Sequence, residues 1–338
     1  MVLLYLLLVV VCCIAIWKVS DIFEDATEYL GRNMSNGVKG ASLNAIGSSM
    51  PELITSFIFL FYLAGSEGYA GTIGTTAGSA VFNTLLIPAL VILFVFTIGI
   101  VNQVKGIELD SKVIKRDGFF LLLSEFALIL FISGNQITLM DAIILIGIYC
   151  IYSIVLFKQS DDSDKKHIPG TIDENHIAWV KLIISVILMT AICWILVHCV
   201  EQIGVLMNIP LIFVSIILAS AASSVPDTII SVRDGLKGNY DDAISNALGS
   251  NIFDICIAHG LPLFIYIAMY GPITMSDDTT TYSLELRISL IIITAIATLI
   301  YFVKKKFFKA QAYQLIILYI LFITYAILRA YGVNIFNF

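Results

Sequence analysis

The sequence has little charge. Only 13% of its 338 residues are Asp, Glu, Lys or Arg, whereas 59% are hydrophobic. A typical soluble domain carries about 25% charged residues. The longest polar stretch, Lys158 to Asn175, is too short to fold as a domain. These shortages exclude a soluble globular protein and indicate an all-α integral membrane protein.

Cysteine is also scarce, and the spacing typical of a metal site is missing. The six cysteines lie in apolar segments, where they fit reduced packing residues (Cys12, Cys13, Cys150, Cys193, Cys199 and Cys256). We therefore expect no disulfide and no cofactor. The N-terminus, Met1 to Trp17, lacks a basic leader and a small-residue cleavage site, which favours a retained first helix over a signal peptide.

Apolar windows bounded by charge, Gly or Pro predict ten membrane spans. They lie near residues 2–31, 36–62, 68–101, 117–134, 138–157, 176–203, 209–236, 240–268, 284–303 and 311–331. The prediction divides the chain into a first five-helix repeat (1–157), a cytoplasmic linker (158–175) and a second five-helix repeat (176–338).

Lys and Arg set the predicted orientation. In the ten-span scheme nearly all of them fall on one side, and only Arg287 and Arg329 fall on the other. Basic loops face the cytoplasm. We therefore predict a protein of the cell (plasma) membrane with both termini outside. Its expected partners are the lipid bilayer and inorganic cations; no nucleic acid and no obligate protein partner are expected.

One stretch of the second span is unusual. Gly47 to Glu52 reads GSSMPE inside an apolar run. Pro51 lacks an N–H, and its ring crowds the carbonyl of Gly47, so the helix must open or kink here. A carboxylate beside a broken helix at membrane depth is costly unless it lines a cavity or binds something.

The same pattern occurs twice. Residues 47–56 match residues 222–231, with Pro226 and Asp227 in the places of Pro51 and Glu52. Residues 78–83 likewise match residues 249–254. Each match lies in the second and third span of its half, and an odd number of spans per half makes the halves opposite in orientation. The sequence thus predicts an inverted repeat with a site near the bilayer midplane.

The repeated motifs carry oxygen ligands. Glu52 and Asp227 should face each other, and Asp254 and the Asn83 amide should lie beside them, with serine hydroxyls and the carbonyls freed by the prolines. An all-oxygen set suits hard cations such as calcium, sodium or potassium. Three carboxylates without Lys or Arg need bound cations or protons as compensation, so exchange between cation sets is a physical basis for antiport.

Helix packing or local hydrogen bonding explains other residues of the sequence that stand out. A membrane proline alone is usually a packing kink, and small residues such as Gly78, Ser79 and Ala80 usually serve helix packing. His259 fits a hydrogen-bonded helix residue. Glu125 could pair within the bundle or lie near an ion path. Two proline–acid motifs at matching places in inverted halves are not explained by packing.

These motifs resemble the alpha repeats of the cation/calcium exchanger superfamily, and most of all its potassium-dependent sodium/calcium exchanger family. Residues 47–53, 71–73 and 78–83 carry the resemblance in the alpha-1 motif (41–87); residues 223–227, 233–238 and 249–255 carry it in the alpha-2 motif (216–262). The resemblance to the potassium-dependent family depends largely on Asp227, where potassium-independent members usually carry Glu.

The resemblance implies an antiporter, not an enzyme, that exchanges sodium for calcium, with potassium, by alternating access. Glu52 and Asp227 would be shared calcium and sodium ligands, with Asn83 and Asp254 beside them. Serine oxygens would complete the set (Ser48, Ser49, Ser79, Ser223, Ser224 and Ser250). Ser48 and Ser223 replace the usual Thr, and Ala222 replaces the usual Gly, which bears on affinity and ion preference.

Three other functions fit parts of the pattern. A proton/calcium or other divalent-cation exchanger would use the same carboxylates. An intramembrane aspartyl protease could use Asp227 and Asp254, but the chain lacks a Gly-x-Gly-Asp motif and that interpretation leaves Glu52 unexplained. A channel fits a closed carboxylate cage less well than an exchanger does.

Overall fold

The computed structural model describes residues 1–30, 45–98, 106–108, 111–131, 135–159, 172–303 and 306–333. Several features of the prediction lie outside these residues. They are seven of the basic residues used to predict the orientation (Arg32, Lys39, Lys105, Lys165, Lys166, Lys304 and Lys305), residues 41–44 of the alpha-1 motif, and most of the predicted linker.

The described chain is almost entirely helical. The helices of the first half are α1 (Val2–Leu30), α2 (Ala45–Ser48), α3 (Met50–Ile58), α4 (Gly65–Thr97), α5 (Ser111–Phe131) and α6 (Leu139–Gln159). Those of the second half are α7 (Ile172–Met207), α8 (Leu211–Val214), α9 (Ser220–Ser223), α10 (Val225–Leu236), α11 (Tyr240–Phe253), α12 (Gly260–Tyr270), α13 (Asp277–Val303) and α14 (Lys309–Ala330).

Three π-helical turns interrupt these helices, at Phe59–Leu63, Ser215–Ala219 and Asp254–Ala258. Turns of this kind occur frequently at functional sites. The third turn begins at Asp254, one of the predicted site residues. The other two lie in the helical segments that carry Pro51 and Pro226.

Seven described helices are long and apolar enough to cross a membrane, and the number is eight if the bent pair Leu211–Ser223 and Val225–Leu236 is one span. This confirms a helical membrane protein but does not confirm ten spans. Two predicted spans do not meet this criterion within the described residues. The apolar helix Met50–Leu63 is short, and α5 carries Lys115, Arg116 and Asp117 near its start.

Both proline motifs break their helices, as predicted. The breaks fall at Ser49 (φ −93, ψ 9) and at Ser224 (φ −79, ψ 3), which have nearly the same backbone conformation. Each proline is then the second residue of the next helix, where a missing N–H costs nothing. The bend at the second break is 45°. Similar sequences thus produce the same local geometry in both halves.

Two short antiparallel strand pairs join the halves. Strand β1 (Ile107–Glu108) pairs with β4 (Lys306–Phe307), and β2 (Gln136–Ile137) pairs with β3 (Ile273–Thr274). Every strand lies in a connection between long helices. The pairs therefore fix which connections of the first half meet those of the second.

Helix α4 passes through the centre of the bundle, and its glycines allow close contact with the second half. A Cβ on Gly74 would lie 2.5 Å from the Ile212 carbonyl oxygen, and one on Gly78 would lie 2.9 Å from that of Ile216. Small residues allow such approach between membrane helices. The approach brings Ser79 and Asn83, on the same helix, next to the second-half break.

Candidate functional site

Three carboxylates meet in the centre of the molecule. Glu52, Asp227 and Asp254 each offer an oxygen within 4.8 Å of the others, and all three side chains are 0% exposed. Within the described ranges no Lys, Arg or His forms an ion pair with any of them. Such a cluster cannot stay fully ionised without compensating positive charge.

The Ser79 hydroxyl links this cluster to both halves. Its Oγ donates to Asp254 Oδ2 at 2.8 Å and lies 3.3 Å from Glu52 Oε1. It also lies 2.8 Å from Ser224 Oγ, which in turn approaches Glu52 Oε1 at 3.4 Å. One serine of α4 thus contacts the break in the opposite half.

Ser250 has the equivalent position at Asp227. Its Oγ donates to Asp227 Oδ1 at 2.7 Å and lies 3.4 Å from Ser48 Oγ. The Asn83 amide donates to Asp227 Oδ2 at 2.9 Å. Asp227 therefore receives hydrogen-bond donors from both halves of the chain.

The two remaining predicted serines also face the cluster. Ser223 interacts with Glu52, and Ser49 approaches Asp254. All ten predicted site residues are therefore brought together and buried. Three acceptor oxygens there, Glu52 Oε2, Asp254 Oδ1 and Asn83 Oδ1, have no hydrogen-bond partner in the part of the chain that the structure describes. Buried oxygens of this kind are available to a cation.

The broken helices favour carboxylates at these positions. Glu52 lies in the first turn of α3, and Asp227 lies in the first turn of α10. The positive end of the helix dipole stabilises a negative group there. Proline also leaves the carbonyls of Gly47 and Ala222 without their usual helical partner. The same break thus positions an acid and frees a neutral oxygen.

Glu125 and His259 lie outside the cluster. Glu125 accepts a hydrogen bond from Thr294 Oγ1 at 2.6 Å, so it pairs within the bundle. His259 Nδ1 lies 3.3 Å from Thr76 Oγ1, and its ring packs edge-on against Tyr69. All six cysteines are free.

Sequence reasoning did not single out Asn246. This residue precedes Ser250 by four positions, and its Nδ2 donates to Ser231 Oγ at 3.1 Å. The available signal was a polar amide on the helical face of Ser250, inside an apolar segment. Asn246 extends the polar face of α11 by one helical turn beyond the predicted site.

Comparison with known proteins gives the family. Residues 4–158 and 177–328 match the sequence model of the family described as "Sodium/calcium exchanger protein". Rat sodium/potassium/calcium exchanger 3 is 36% identical over 126 residues, which are 37% of this chain and only 18% of that relative. Human sodium/potassium/calcium exchanger 5 is 25% identical over 86% of this chain and 76% of its own length.

Solved structures share the fold. The crystal structure of the H+/Ca2+ exchanger CAX superposes with a TM-score of 0.71 at 15% identity, over 97% of this chain and 88% of that one. The structure of the sodium-calcium exchanger NCX_Mj soaked with 10 mM Na+ superposes with a TM-score of 0.63 at 22% identity, over 96% of this chain and 99% of that one. At such identities the likeness concerns the fold alone. The family match over most of the chain shows that this protein is an integral membrane member of the sodium/calcium exchanger family, within the cation/calcium exchanger superfamily and most like its potassium-dependent branch.

Proposed function

We propose that the protein is a secondary antiporter that exchanges sodium for calcium, together with potassium, by alternating access. The observation that carries the proposal is the buried cluster of Glu52, Asp227 and Asp254, which lacks an ion-pair partner in the described residues. One calcium and one monovalent cation would neutralise three negative charges, and so would three monovalent cations. Competition between these sets would couple their movements.

The ten residues that meet at the centre are the proposed ligands. Glu52 and Asp227 would bind calcium and sodium in turn. Asp254 and Asn83 would set the charge beside them, since one half offers an acid where the other offers an amide. The hydroxyls would complete the oxygen shell that calcium prefers, about 6–8 oxygens. In this proposal the protein carries transported ions and no catalytic group or cofactor.

The proposed architecture has ten spans in two inverted five-helix repeats, over residues 1–157 and 176–338. The strand pairs support it. In that scheme the connections that contain β1 and β4 are both cytoplasmic, and those that contain β2 and β3 are both external. The repeat also relates β1 to β3 and β2 to β4, so it maps one strand pair onto the other.

A cavity on the proposed external side supports access by cations. It has a volume of about 590 Å³, and its lining includes Glu67, Glu201 and Asp278 but no Lys or Arg. All three acids fall on the same side in the ten-span scheme. A cleft lined by charges of one sign concentrates ions of the opposite sign. We place this side outside the cell membrane, together with both termini.

Calcium uptake into proteoliposomes loaded with sodium tests the function. We expect uptake that requires the sodium gradient and increases when potassium accompanies calcium. Uptake without any dependence on sodium would overturn the sodium/calcium proposal. Uptake that ignores potassium would overturn only the potassium coupling.

Substitution of the central acids tests the site. Glu52→Gln and Asp227→Asn should each reduce uptake to background, because each removes a negative charge that offsets the calcium charge. Size-exclusion profiles should stay those of the unmodified protein. Wild-type uptake by either variant would remove that residue from the site.

A proton/calcium exchanger is the second candidate. The H+/Ca2+ exchanger CAX has the same fold, and carboxylates can carry protons in place of sodium. Calcium uptake driven by a pH gradient in sodium-free buffer would favour this candidate. Absence of such uptake, together with sodium-driven uptake, would exclude it.

A further inference from the structure

A polar face continues from the central cluster toward the ends of α10 and α11. Ser231 follows Asp227 by four residues, and Asn246 precedes Ser250 by four, which is about 6 Å along each helix. The Asn246 amide joins the two helices through its hydrogen bond to Ser231 Oγ. Asn246 is 5% exposed and Ser231 is 0% exposed.

The side-chain oxygen of Asn246 has no hydrogen-bond partner among the described residues. Asn246 Oδ1 is buried and accepts no hydrogen bond from any described residue. A buried amide oxygen normally has a partner, and leaving it without one costs about 1–3 kcal/mol. A cation or its water shell would supply that partner. The Asn246 oxygen is therefore available to a cation that passes along this polar face.

Acids continue the same face toward the surface. Asp234 is half-buried and Asp242 is exposed, and each lies on the outer side of the Asn246–Ser231 pair. The two acids are close enough to interact with each other. Basic groups also lie at this end: Lys237 Nζ is 3.5 Å from Asp234 Oδ1, and Arg233 pairs with Asp21 at 2.9 Å. Exposure thus rises stepwise from the fully buried Asp227 to Asp242.

In the first half, the residues that correspond to this polar face do not form a continuous polar route. The repeat relates Ser231 and Asn246 to Ser56 and Thr75, which are hydroxyl residues at the same distance from the site. In the next turn it relates Asp234 to Phe59 and Asp242 to Gly71. Phe59 is fully buried, and its ring occupies the space that a Cβ on Gly71 would need. An aromatic ring therefore blocks the route where the second half has carboxylates.

We propose that Asn246 and Ser231 form an intermediate cation-binding site between the central cluster and the face that carries Arg233 and Lys237. This proposal rests on the proposed antiport function. Two neutral oxygens bind a partly hydrated sodium, potassium or calcium ion weakly, which suits a site that an ion must leave. The site binds ions that enter from the face with Arg233 and Lys237, here called the basic face. In this conformation Phe59 blocks the corresponding route in the first half.

Sided transport measurements test the proposal. Whole cells and inverted membrane vesicles of an expression host expose opposite faces of the protein. Asn246→Leu and the smaller Asn246→Ala should each raise the half-saturating calcium concentration about fivefold at the basic face and less than about twofold at the other, since a neutral ligand is worth about 1 kcal/mol. Thr75→Val, the matched change in the first half, should leave the value at the basic face unchanged. Equal effects at both faces, or none, would overturn the proposal.

A labelling experiment keeps the inference separate from the transport function. Asn246→Cys is made in a variant whose six native cysteines are replaced by Ser. A cationic methanethiosulfonate should modify it faster than a neutral reagent of similar size, and saturating sodium should slow the reaction. This result would support the cation site even if wild-type protein showed no calcium flux. Equal rates for the two reagents, or no reaction with either, would contradict it.

Discussion

The Asn83 amide nitrogen lies 2.9 Å from Asp227 Oδ2 and so joins α4 of one half to the proline motif of the other. The bond leaves Asn83 Oδ1 free of hydrogen bonds in the described chain. One amide thus donates to a proposed ligand and offers an acceptor of its own. Asp254, the counterpart in the second half, can only accept when it is ionised. The two halves therefore place different charges around a common centre.

Asn83→Asp tests this difference. It replaces a donor to Asp227 with a like charge and adds a fourth carboxylate to the cluster. We expect sodium-driven calcium uptake to fall more than about tenfold at neutral pH, because two adjacent buried carboxylates cannot both stay ionised. Tracer flux measures the change. Uptake within a factor of two of wild type would show that Asp227 does not need this donor.

Asn251→Asp is the matched control. Asn251 is equally buried, but its amide donates to the Ala80 carbonyl and to Thr84 Oγ1, away from the carboxylates. We expect a lower melting temperature from the lost donor and no change in the sodium-driven calcium uptake of the protein that remains folded. A loss of uptake equal to that of Asn83→Asp would mean that both substitutions act through general destabilisation.

Glu125 should not take part in transport. Its Oε1 accepts from Thr294, and a Gln side chain can accept the same bond. Glu125→Gln should therefore keep wild-type calcium uptake within about a factor of two, while Glu125→Leu should lower the melting temperature because a buried hydroxyl loses its acceptor. This makes Glu125→Gln a control for Glu52→Gln. Abolished flux in Glu125→Gln would instead place this acid on an ion path.

Arg287 should be a structural residue. It is 1% exposed, and its guanidinium donates to the carbonyls of Ser283 and Leu128, which joins α13 to α5. Arg287→Ala leaves buried acceptors unpaired, at about 1–3 kcal/mol each. We expect a clearly lower melting temperature, with a smaller loss for Arg287→Lys because one donor can be kept. Unchanged thermal unfolding of Arg287→Ala would contradict this role.

The contact at Gly74 should tolerate no side chain. In Gly74→Ala the new methyl group would lie 2.5 Å from the Ile212 carbonyl oxygen and 2.8 Å from Ser215 Cβ. We expect a large drop in melting temperature and loss of calcium uptake, because α4 would move away from the second-half break. Gly147→Ala is the control, since nothing lies within 4 Å of its added Cβ. It should be neutral or slightly stabilising, by up to about 1 kcal/mol. Equal effects of the two substitutions would rule out the proposed contact.

Much of this molecule could be predicted from short stretches of sequence, because its most informative features are the two proline motifs and their repetition. Pro51 and Pro226 break their helices through a missing donor and a steric clash, whatever surrounds them. Internal repetition then indicated that Glu52, Asp227 and Asp254 belong together. The number of spans stays a prediction, since two of the ten do not stand out as membrane helices among the described residues. Met50–Leu63 is a short helix, and the charges of α5 reduce its resemblance to a membrane helix.

Hydropathy and proline geometry act over a few residues, so the amino-acid sequence alone specifies a helical membrane protein with two similar acidic breaks. The contacts between side chains came from the folded structure: Asn83 with Asp227, Ser79 with Asp254, and Asn246 with Ser231. It also showed Phe59 on Gly71 where the second half has acids. These contacts depend on the packing of distant helices, and the spacing of residues along one helix does not specify it.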